Sequence, residues 1–148
     1  MEIERKFLIK ELPAGLAEYP HHLIEQAYLC RRPTVRVRRE DERYYMTYKG
    51  DGMMVREEYN LALNAGAYEH LKAKADGRLI TKTRYFIPCG KYTIELDLFS
   101  APTDLVMAEV EFATEEEAEA FKMPDWFEKE VTYDPRYQNS SMAYGDVL

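Results

Sequence analysis

The stretch EIERKFLI at residues 2–9 places two carboxylates and a lysine two residues apart and then runs into apolar side chains. A β-strand directs alternate side chains to opposite faces of its sheet. Glu2, Glu4 and Lys6 would therefore share one face of a strand, and the apolar residues from Ile3 onward the other. Such an acid–acid–base row either holds a divalent cation beside an anionic group or forms the solvated face of an ordinary sheet.

Seven further segments have the composition of strands and are separated by turn signals rich in Gly, Pro, Asp and Asn. Short antiparallel strands at this spacing are typical of a closed or nearly closed barrel. We therefore predict an α+β fold that is mainly β, with an eight-stranded antiparallel barrel and a few helices packed outside it. The predicted strands are residues 2–9, 23–30, 34–40, 43–49, 54–63, 79–87, 91–99 and 105–113.

Three segments are predicted to be helical. Residues 65–76 follow Asn64, a favoured N-cap, and are followed by a glycine that can end a helix. Residues 114–122 begin with Thr-Glu-Glu-Glu, which fits a capping box. A short third helix is predicted at residues 140–144.

Length and composition limit the possible classes of protein. A chain of 148 residues predicts a single domain over residues 1–148. No apolar run approaches a membrane span and the N-terminus lacks a signal-like segment, so we expect a cytoplasmic protein with no membrane partner. Cys30 and Cys89 have neither disulfide-framework nor metal-site spacing and are expected to be free thiols. The net charge of −7 argues against a nucleic-acid partner, although a local basic pocket stays compatible with it.

The period of two, applied to every predicted strand, places charges on one face and apolar or aromatic side chains on the other. The cations concentrate in the third, fourth and sixth predicted strands, and the anions in the first, seventh and eighth. The cations of this face are Lys6, Arg36, Arg38, Lys49, Arg56, Lys82 and Arg84; the anions are Glu2, Glu4, Glu58, Glu95, Asp97, Glu109 and Glu111.

A solvated sheet face is the ordinary explanation for any one of these charge pairs. Two features of the whole set favour an interior instead. A solvated face usually mixes uncharged polar residues with its charges, and here same-sign pairs lie two residues apart on five strands. Because like charges repel, a bound anion would stabilise the bases and a bound metal ion the acids. A barrel with its charges inward, around a strongly ionic ligand, meets both requirements.

The chemistry that such an interior supports is transfer of a phosphoryl group from a polyphosphate to water. Arginine and lysine bind phosphate oxygens, and arginine can do so through two hydrogen bonds at once. Carboxylates hold Mg²⁺ or Mn²⁺, which lowers the pKa of a bound water. The sequence has neither a Walker A motif nor a G-x-G-x-x-G motif, so the usual glycine-rich phosphate loops are absent.

In this order, the motifs resemble the CYTH family, also called triphosphate tunnel metalloenzymes. The family hallmark E-x-E-x-K is matched by Glu2, Glu4 and Lys6, and the resemblance covers nearly the whole chain. The other matching motifs are Gln26-x-Tyr28-Leu29, Arg36-x-Arg38, Lys49-Gly50, Lys82-Thr83-Arg84, Glu95-x-Asp97, Glu109-x-Glu111, Glu130-Val131-Thr132 and Tyr137-x-Asn139.

The resemblance implies an eight-stranded tunnel that binds a triphosphate together with Mg²⁺ or Mn²⁺. It implies a metal site with three main ligands and one helper, which are Glu2, Glu4, Glu111 and Glu109. It implies a phosphate clamp formed by Lys6, Arg36, Arg38, Lys49, Arg56, Lys82 and Arg84. Glu58, Glu95 and Asp97 would either orient these bases or help to hold a second metal ion or the attacking water. The residues expected at the reacting group are Lys6, Glu4, Glu111 and Tyr28, although Tyr28 can equally be a buried strand tyrosine.

The expected activity is metal-dependent hydrolysis of inorganic tripolyphosphate, because the chain has little material beyond the tunnel for recognising a large organic group. Other chemistries of the family stay open: nucleoside or thiamine triphosphate hydrolysis, RNA 5′-triphosphatase and adenylate cyclase. A non-catalytic module that binds polyphosphate or a nucleotide would need the cations but not all the carboxylates. A structural domain with a solvated sheet face is the third alternative. The expected partner is a small-molecule triphosphate, and the sequence leaves open whether the chain forms a homodimer.

Overall fold

The computed structural model describes residues 1–145, and the strands in this range form one antiparallel sheet with helices on its outside. The strands are β1 (Glu2–Ile9), β2 (His21–Cys30), β3 (Thr34–Glu40), β4 (Arg43–Lys49), β5 (Val55–Arg56), β6 (Glu58–Leu63), β7 (Asp76–Cys89), β8 (Tyr92–Ala101), β9 (Val106–Glu111) and β10 (Phe127–Glu130). The helices are α1 (Ala65–Lys72), α2 (Glu115–Ala120) and α3 (Asn139–Ala143), with short 3-10 turns at Leu16–Glu18 and Pro135–Tyr137.

The sheet curls into a nearly closed barrel, as predicted. Neighbouring strands follow the order β10-β1-β9-β8-β7-β2-β3-β4-β6, and β5 pairs with β1. Closure depends on the segment from Val55 to Leu63. Its first residues pair with β1, where Arg56 lies opposite Glu2. The following residues pair with β4, where Glu58 lies opposite Lys49. One continuous segment therefore joins the two ends of the sheet.

The number of strands differs from the predicted eight in two places. The strand predicted at residues 54–63 is divided at Glu57, because its two parts pair with different neighbours. The prediction also missed β10, a four-residue strand that pairs with the end of β1, where Phe7 lies opposite Glu130. Only the first residue of β10 is buried, so its sequence carries no alternating pattern from which it could have been predicted.

The helices begin where their caps predict, and α1 ends earlier than expected. The Asn64 side chain accepts a hydrogen bond from the backbone N–H of Ala67, and that of Thr114 accepts one from Glu117. Helix α1 ends at Lys72 because the chain from Asp76 onward already belongs to β7. Gly77 therefore lies in β7 instead of ending the helix, with a positive φ and its Cα against the backbone of α3.

Two clusters of the hydrophobic core lie on the outward faces of the strands, under α1 and α2, and a third lies against α3. Ala118 of α2 packs with Phe7 and Phe127. Tyr68 of α1 covers β2 and β3. Met142 of α3 packs with Ile80, which lies on the inward face of β7 together with Lys82. Burying a large apolar side chain of this kind stabilises the fold by roughly 1.5–3 kcal/mol. The outward faces therefore supply most of the apolar packing, and the inward faces carry the charged residues beside the cluster that packs against α3.

Two further findings concern the cysteines and the helices of the described residues. Cys30 and Cys89 are free thiols. None of the helices between residues 1 and 145 has the length and apolar character needed to cross a bilayer.

Candidate active site

The barrel encloses a cavity of about 870 Å³ that is lined by the inward faces of its strands. Every charged residue predicted on the inner face lines this cavity except Asp97, which is fully buried in the wall behind it. Tyr28 also reaches the cavity. The structure therefore brings together the acidic and basic residues that the sequence places on separate strands.

The acidic side of the cavity is formed mainly by β1 and β9. Glu4 lies directly opposite Glu111, and Lys6 lies opposite Glu109. Carboxylates that face each other across an antiparallel pair repel and destabilise the sheet. Glu2 is ordered although it is the second residue of the chain, because it pairs with β5 and accepts hydrogen bonds from Lys49 at 3.0 and 3.2 Å.

Three of these carboxylates have raised pKa values. Burial raises the pKa of Glu4 to about 8, and the charge of Glu109 adds to this effect. Burial also raises the pKa of Glu2, although Lys49 opposes the shift. The pKa of Glu111 is raised by burial and by the neighbouring acids, first among them Glu2. In all three, burial is the largest cause of the raised pKa, and neighbouring acids add to it.

The pKa of Glu109 is shifted in the opposite direction. Burial by itself would raise the pKa of Glu109, but Arg84, followed by Lys6 and Lys82, lowers it far below its usual value. Arg84 also contacts the Glu109 carboxylate directly, at 3.4 Å. Glu109 is therefore compensated by cations of the protein itself.

The donor set of the acidic side fits a divalent metal ion, although the site is not preformed. Within residues 1–145, no group of three acidic, histidine or cysteine side chains has the arrangement of a metal site. The carboxylates of Glu2, Glu4 and Glu111 are nevertheless hard oxygen ligands of the kind that Mg²⁺ and Mn²⁺ prefer. Their raised pKa values mean that a cation among them would relieve an electrostatic cost.

On the basic side, Arg84 and Lys82 share the buried carboxylate of Asp97. Arg84 donates to Asp97 through two nitrogens at 2.8 and 2.9 Å, and it also contacts Glu95 at 3.1 Å. Lys82 contacts Asp97 at 2.8 Å. Burial lowers the pKa of Lys82 to about 7 in spite of the opposing charge of Asp97, and Arg84 strengthens the lowering.

Arg36 and Arg38 of β3 are buried with less compensation. Nε of Arg38 donates to Gln26 at 2.9 Å, and another of its nitrogens lies 3.4 Å from the Tyr45 hydroxyl. Burial lowers the pKa of Arg38, and the charges of Arg36 and Arg84 contribute. In the part of the chain that the structure describes, Nε of Arg36 is buried without a hydrogen-bond partner. A buried donor without a partner is rare in folded proteins and indicates a place for an anion.

Three cations of the predicted clamp remain, and they contact carboxylates or the backbone: Lys49, Arg56 and Lys6. Lys49 contacts Glu58 at 3.4 Å in addition to Glu2. Arg56 donates to the backbone oxygen of Gly50 at 3.1 Å. Lys6 lies 3.8 Å from Glu4. These contacts place Lys6 and Lys49 at the boundary between the acidic and the basic side.

Both readings of Tyr28 describe part of its environment. Its ring is buried among apolar residues of the inward faces, which include Ile80 and Met107. Its hydroxyl faces the cavity and accepts a hydrogen bond from Nε2 of Gln26 at 3.1 Å. The side chain is therefore anchored by packing and presents a polar group to the interior.

The sequence reasoning missed several residues that line the cavity. Thr34, Glu40 and Tyr45 continue the period of two along β3 and β4, so extending the same pattern would have found them. Asn139, with its two neighbours in sequence, forms part of the cavity wall from the start of α3. This contribution comes from outside the sheet, so no strand pattern could have revealed it.

Comparison with known proteins places this fold and cavity in a family. The family model of the CYTH domain matches residues 1–138. The chain belongs to the CYTH domain family. An inorganic triphosphatase of Nitrosomonas europaea is 40% identical to this CYTH protein over 150 residues, and the match covers 96% of each chain.

Two further comparisons agree with this assignment. An inorganic triphosphatase of Acetivibrio thermocellus is 36% identical to the CYTH protein over 96% of its chain and 92% of the relative. A crystal structure of an inorganic triphosphatase superposes with a TM-score of 0.70 at 36% identity, and covers 97% of this chain and 95% of the other. Triphosphatases of the CYTH family generally depend on a divalent metal ion.

Proposed function

We propose that this CYTH protein hydrolyses inorganic tripolyphosphate in its charged tunnel with Mg²⁺ or Mn²⁺ as cofactor. The observation that carries the proposal is the joining, in one cavity, of carboxylates with raised pKa values and arginines that bond no carboxylate within the described residues. A complex of a divalent cation with a polyanion compensates both at once. The names of the two relatives, which match nearly the whole chain, support the same substrate.

The triphosphate would lie along the basic side of the tunnel. Arginine and lysine nitrogens would bind its non-bridging oxygens, and Nε of Arg36 would gain the partner that it lacks. Most residues of the clamp are buried, which strengthens each of these contacts. The proposed clamp consists of Lys6, Arg36, Arg38, Lys49, Arg56, Lys82 and Arg84.

The metal ion would be held by Glu2, Glu4 and Glu111, with Glu109 in a weaker role because Arg84 already engages it. When bound, a divalent ion neutralises charge on phosphate oxygens and makes water more acidic. The carboxylates must be ionised to bind the ion, so binding displaces the protons that their raised pKa values favour.

Lys6 and Tyr28 would act on the reacting phosphoryl group. Lys6 lies between Glu4 and the basic side, where its charge can stabilise the phosphoryl oxygens during transfer to water. The Tyr28 hydroxyl accepts from Gln26, so its own hydrogen is free to donate to a phosphate oxygen. Positioning and charge stabilisation are the main sources of catalysis in phosphoryl transfer.

We assign orientation of the bases, and not a second metal ion, to Glu58, Glu95 and Asp97. Asp97 lies behind the cavity and bonds Lys82 and Arg84. Glu95 contacts Arg84, and Glu58 contacts Lys49. Each carboxylate therefore has a basic partner whose direction it can set.

Phosphate release tests the function directly. The assay compares tripolyphosphate, ATP and thiamine triphosphate, with Mg²⁺, with Mn²⁺ and after chelation. We expect tripolyphosphate to be cleaved fastest and chelation to stop the reaction. Failure to cleave any triphosphate with either metal would contradict the proposal, binding without turnover would indicate a binding module, and cyclic AMP as the main product from ATP would indicate a cyclase. The single domain over residues 1–148, the cytoplasmic location and a homodimer stay predictions.

A further inference from the structure

Two buried amide side chains connect Arg38 to Lys82. Nε of Arg38 donates to Oε1 of Gln26 at 2.9 Å. Nε2 of Gln26 donates to Oδ1 of Asn139, also at 2.9 Å. Nζ of Lys82 donates to the same oxygen at 2.8 Å. Helix α3, whose Met142 packs with Ile80 of β7, is therefore linked through Asn139 to two cations of the interior.

The cations determine the orientation of both amides. Arginine and lysine can only donate hydrogen bonds, so the carbonyl oxygen of Gln26 must face Arg38 and that of Asn139 must face Lys82. The amide nitrogen of Gln26 then donates one hydrogen to Asn139 and the other to the hydroxyl of Tyr28. Gln26 is fully buried and its amide has no hydrogen left over, so the direction of the Arg38 side chain is set.

The partners of Arg38 differ in charge from those of Arg84 and Lys49. Arg84 contacts three carboxylates, and Lys49 contacts two. Within residues 1–145, the hydrogen-bond partners of Arg38 are the neutral oxygens of Gln26 and Tyr45. A neutral acceptor holds a guanidinium in place without cancelling its charge, which leaves that charge for a ligand.

We propose that Gln26 and Asn139 are positioning residues: Gln26 directs Arg38 toward the triphosphate and leaves its charge uncompensated, and Asn139 couples Gln26 to Lys82. This inference rests on the proposed function, because it takes a triphosphate as the ligand. According to this proposal, the affinity for tripolyphosphate depends on the absence of a negative charge on the side chain at position 26. A glutamate of the same shape would pair with Arg38 and compete with the substrate.

The test is Gln26→Glu, with Asn64→Asp as a matched amide-to-acid control at an exposed helix cap. Calorimetry with inorganic tripolyphosphate, without metal, should give a Kd at least about tenfold higher for Gln26→Glu and within about twofold of wild type for Asn64→Asp. The unfolding temperature of Gln26→Glu should change little, because the new carboxylate gains an ion pair with Arg38 and loses the two hydrogen bonds that the Gln26 amide donates. In the phosphate-release assay KM should rise more than kcat falls, and Asn139→Asp should also weaken binding.

The outcomes separate this inference from the proposed function. If the wild-type protein neither binds tripolyphosphate nor releases phosphate from it in the presence of metal, the proposed function fails and this inference fails with it. If the wild-type protein binds tripolyphosphate and both Gln26→Glu and Asn139→Asp bind it within about twofold of wild type, only the positioning role is overturned. If binding weakens in step with a fall in the unfolding temperature, the amides have a structural role alone and the inference is also overturned.

Discussion

The acidic and basic sides of the tunnel are built alike and compensated differently. On the acidic side, Glu4 and Glu111 face each other across β1 and β9, and their pKa values are raised. On the basic side, Asp97 neutralises Lys82 and Arg84, whereas Arg36 and Arg38 have no carboxylate that bonds to them within the described residues. The acidic side thus keeps two carboxylates with raised pKa values, and the basic side keeps positive charge at Arg36 and Arg38 without a carboxylate partner in the described part of the chain. The difference indicates a ligand that carries both a cation and a polyanion.

The largest expected effect is a loss of stability when Asp97, the carboxylate shared by Lys82 and Arg84, is replaced. Asp97→Asn should lower the free energy of unfolding by roughly 3–5 kcal/mol, because it leaves Lys82 and Arg84 buried without their shared carboxylate. Chemical denaturation measures this change. Asp104→Asn, at an exposed position, is the matched control. An unchanged stability for Asp97→Asn would show that the charges of this side do not depend on Asp97.

On the acidic side, Glu4→Gln should reduce turnover by about a hundredfold or more, because it removes a proposed ligand of the metal ion. Tripolyphosphate binding should remain measurable by calorimetry, since the cations of the basic side are intact. Glu119→Gln on the exposed face of α2 serves as the control. Turnover equal to that of the control would refute the metal role of Glu4.

The uncompensated arginines can be tested with a neighbouring pair on one strand. Arg38→Ala should weaken tripolyphosphate binding by roughly tenfold to thirtyfold, because it removes a buried charge from the clamp. Arg39→Ala, one residue further along β3, removes an arginine that points to the exposed outside. Its Kd should stay close to that of wild type. Equal losses in the two variants would remove Arg38 from the clamp.

The pH dependence of stability should reveal the uncompensated acid. The folded-state pKa of Glu4 is raised from 4.5 to about 8, so its contribution to stability is fully present below pH 4.5 and is lost as the pH rises through 8. Lys82, with a pKa lowered to about 7, contributes stability above its unfolded value of 10.5 that is lost as the pH falls through 7. Between pH 5 and 7 the Glu4 effect therefore dominates this pair.

Thermal unfolding of the metal-free protein measures this effect. The unfolding temperature of wild type should fall relative to that of Glu4→Gln as the pH rises from 5 to 7. Saturating Mg²⁺ should reduce the fall, because the ion favours the ionised carboxylate. Parallel pH profiles for the two proteins without metal would contradict a raised pKa at Glu4.

The smallest expected effect is a gain of stability on the acidic side. Glu111→Gln should raise the free energy of unfolding of the metal-free protein by about 0.5 kcal/mol, because it removes one of two facing carboxylates. Mg²⁺ should stabilise this variant less than it stabilises wild type, which differential scanning calorimetry can measure. A loss of stability would show that Glu111 is compensated in the metal-free state.

Much of the site could be predicted because it follows a local pattern. The period of two placed Lys6, Arg36 and Glu109 on the inward face, and the structure has all three there. The same reasoning failed where the site leaves the strand pattern. Asn139 comes from a helix, and Gln26, although on the inward face, was given no role because its partners belong to other elements. Glu2 at the chain start was given a role, but what holds it in place became visible only through β5 and Lys49.

By itself, the sequence determined the inward and outward faces, the segregation of charges by strand and the helix starts at Asn64 and Thr114. These properties depend on the alternation of an extended chain and on contacts within a few residues. Only the tertiary structure decided that Glu4 faces Glu111, that Asp97 neutralises Lys82, and that the division at Glu57 lets one segment close the barrel. These features depend on the register between strands that are distant in sequence. The balance between compensated and uncompensated charge therefore belongs to the folded barrel and not to any one strand.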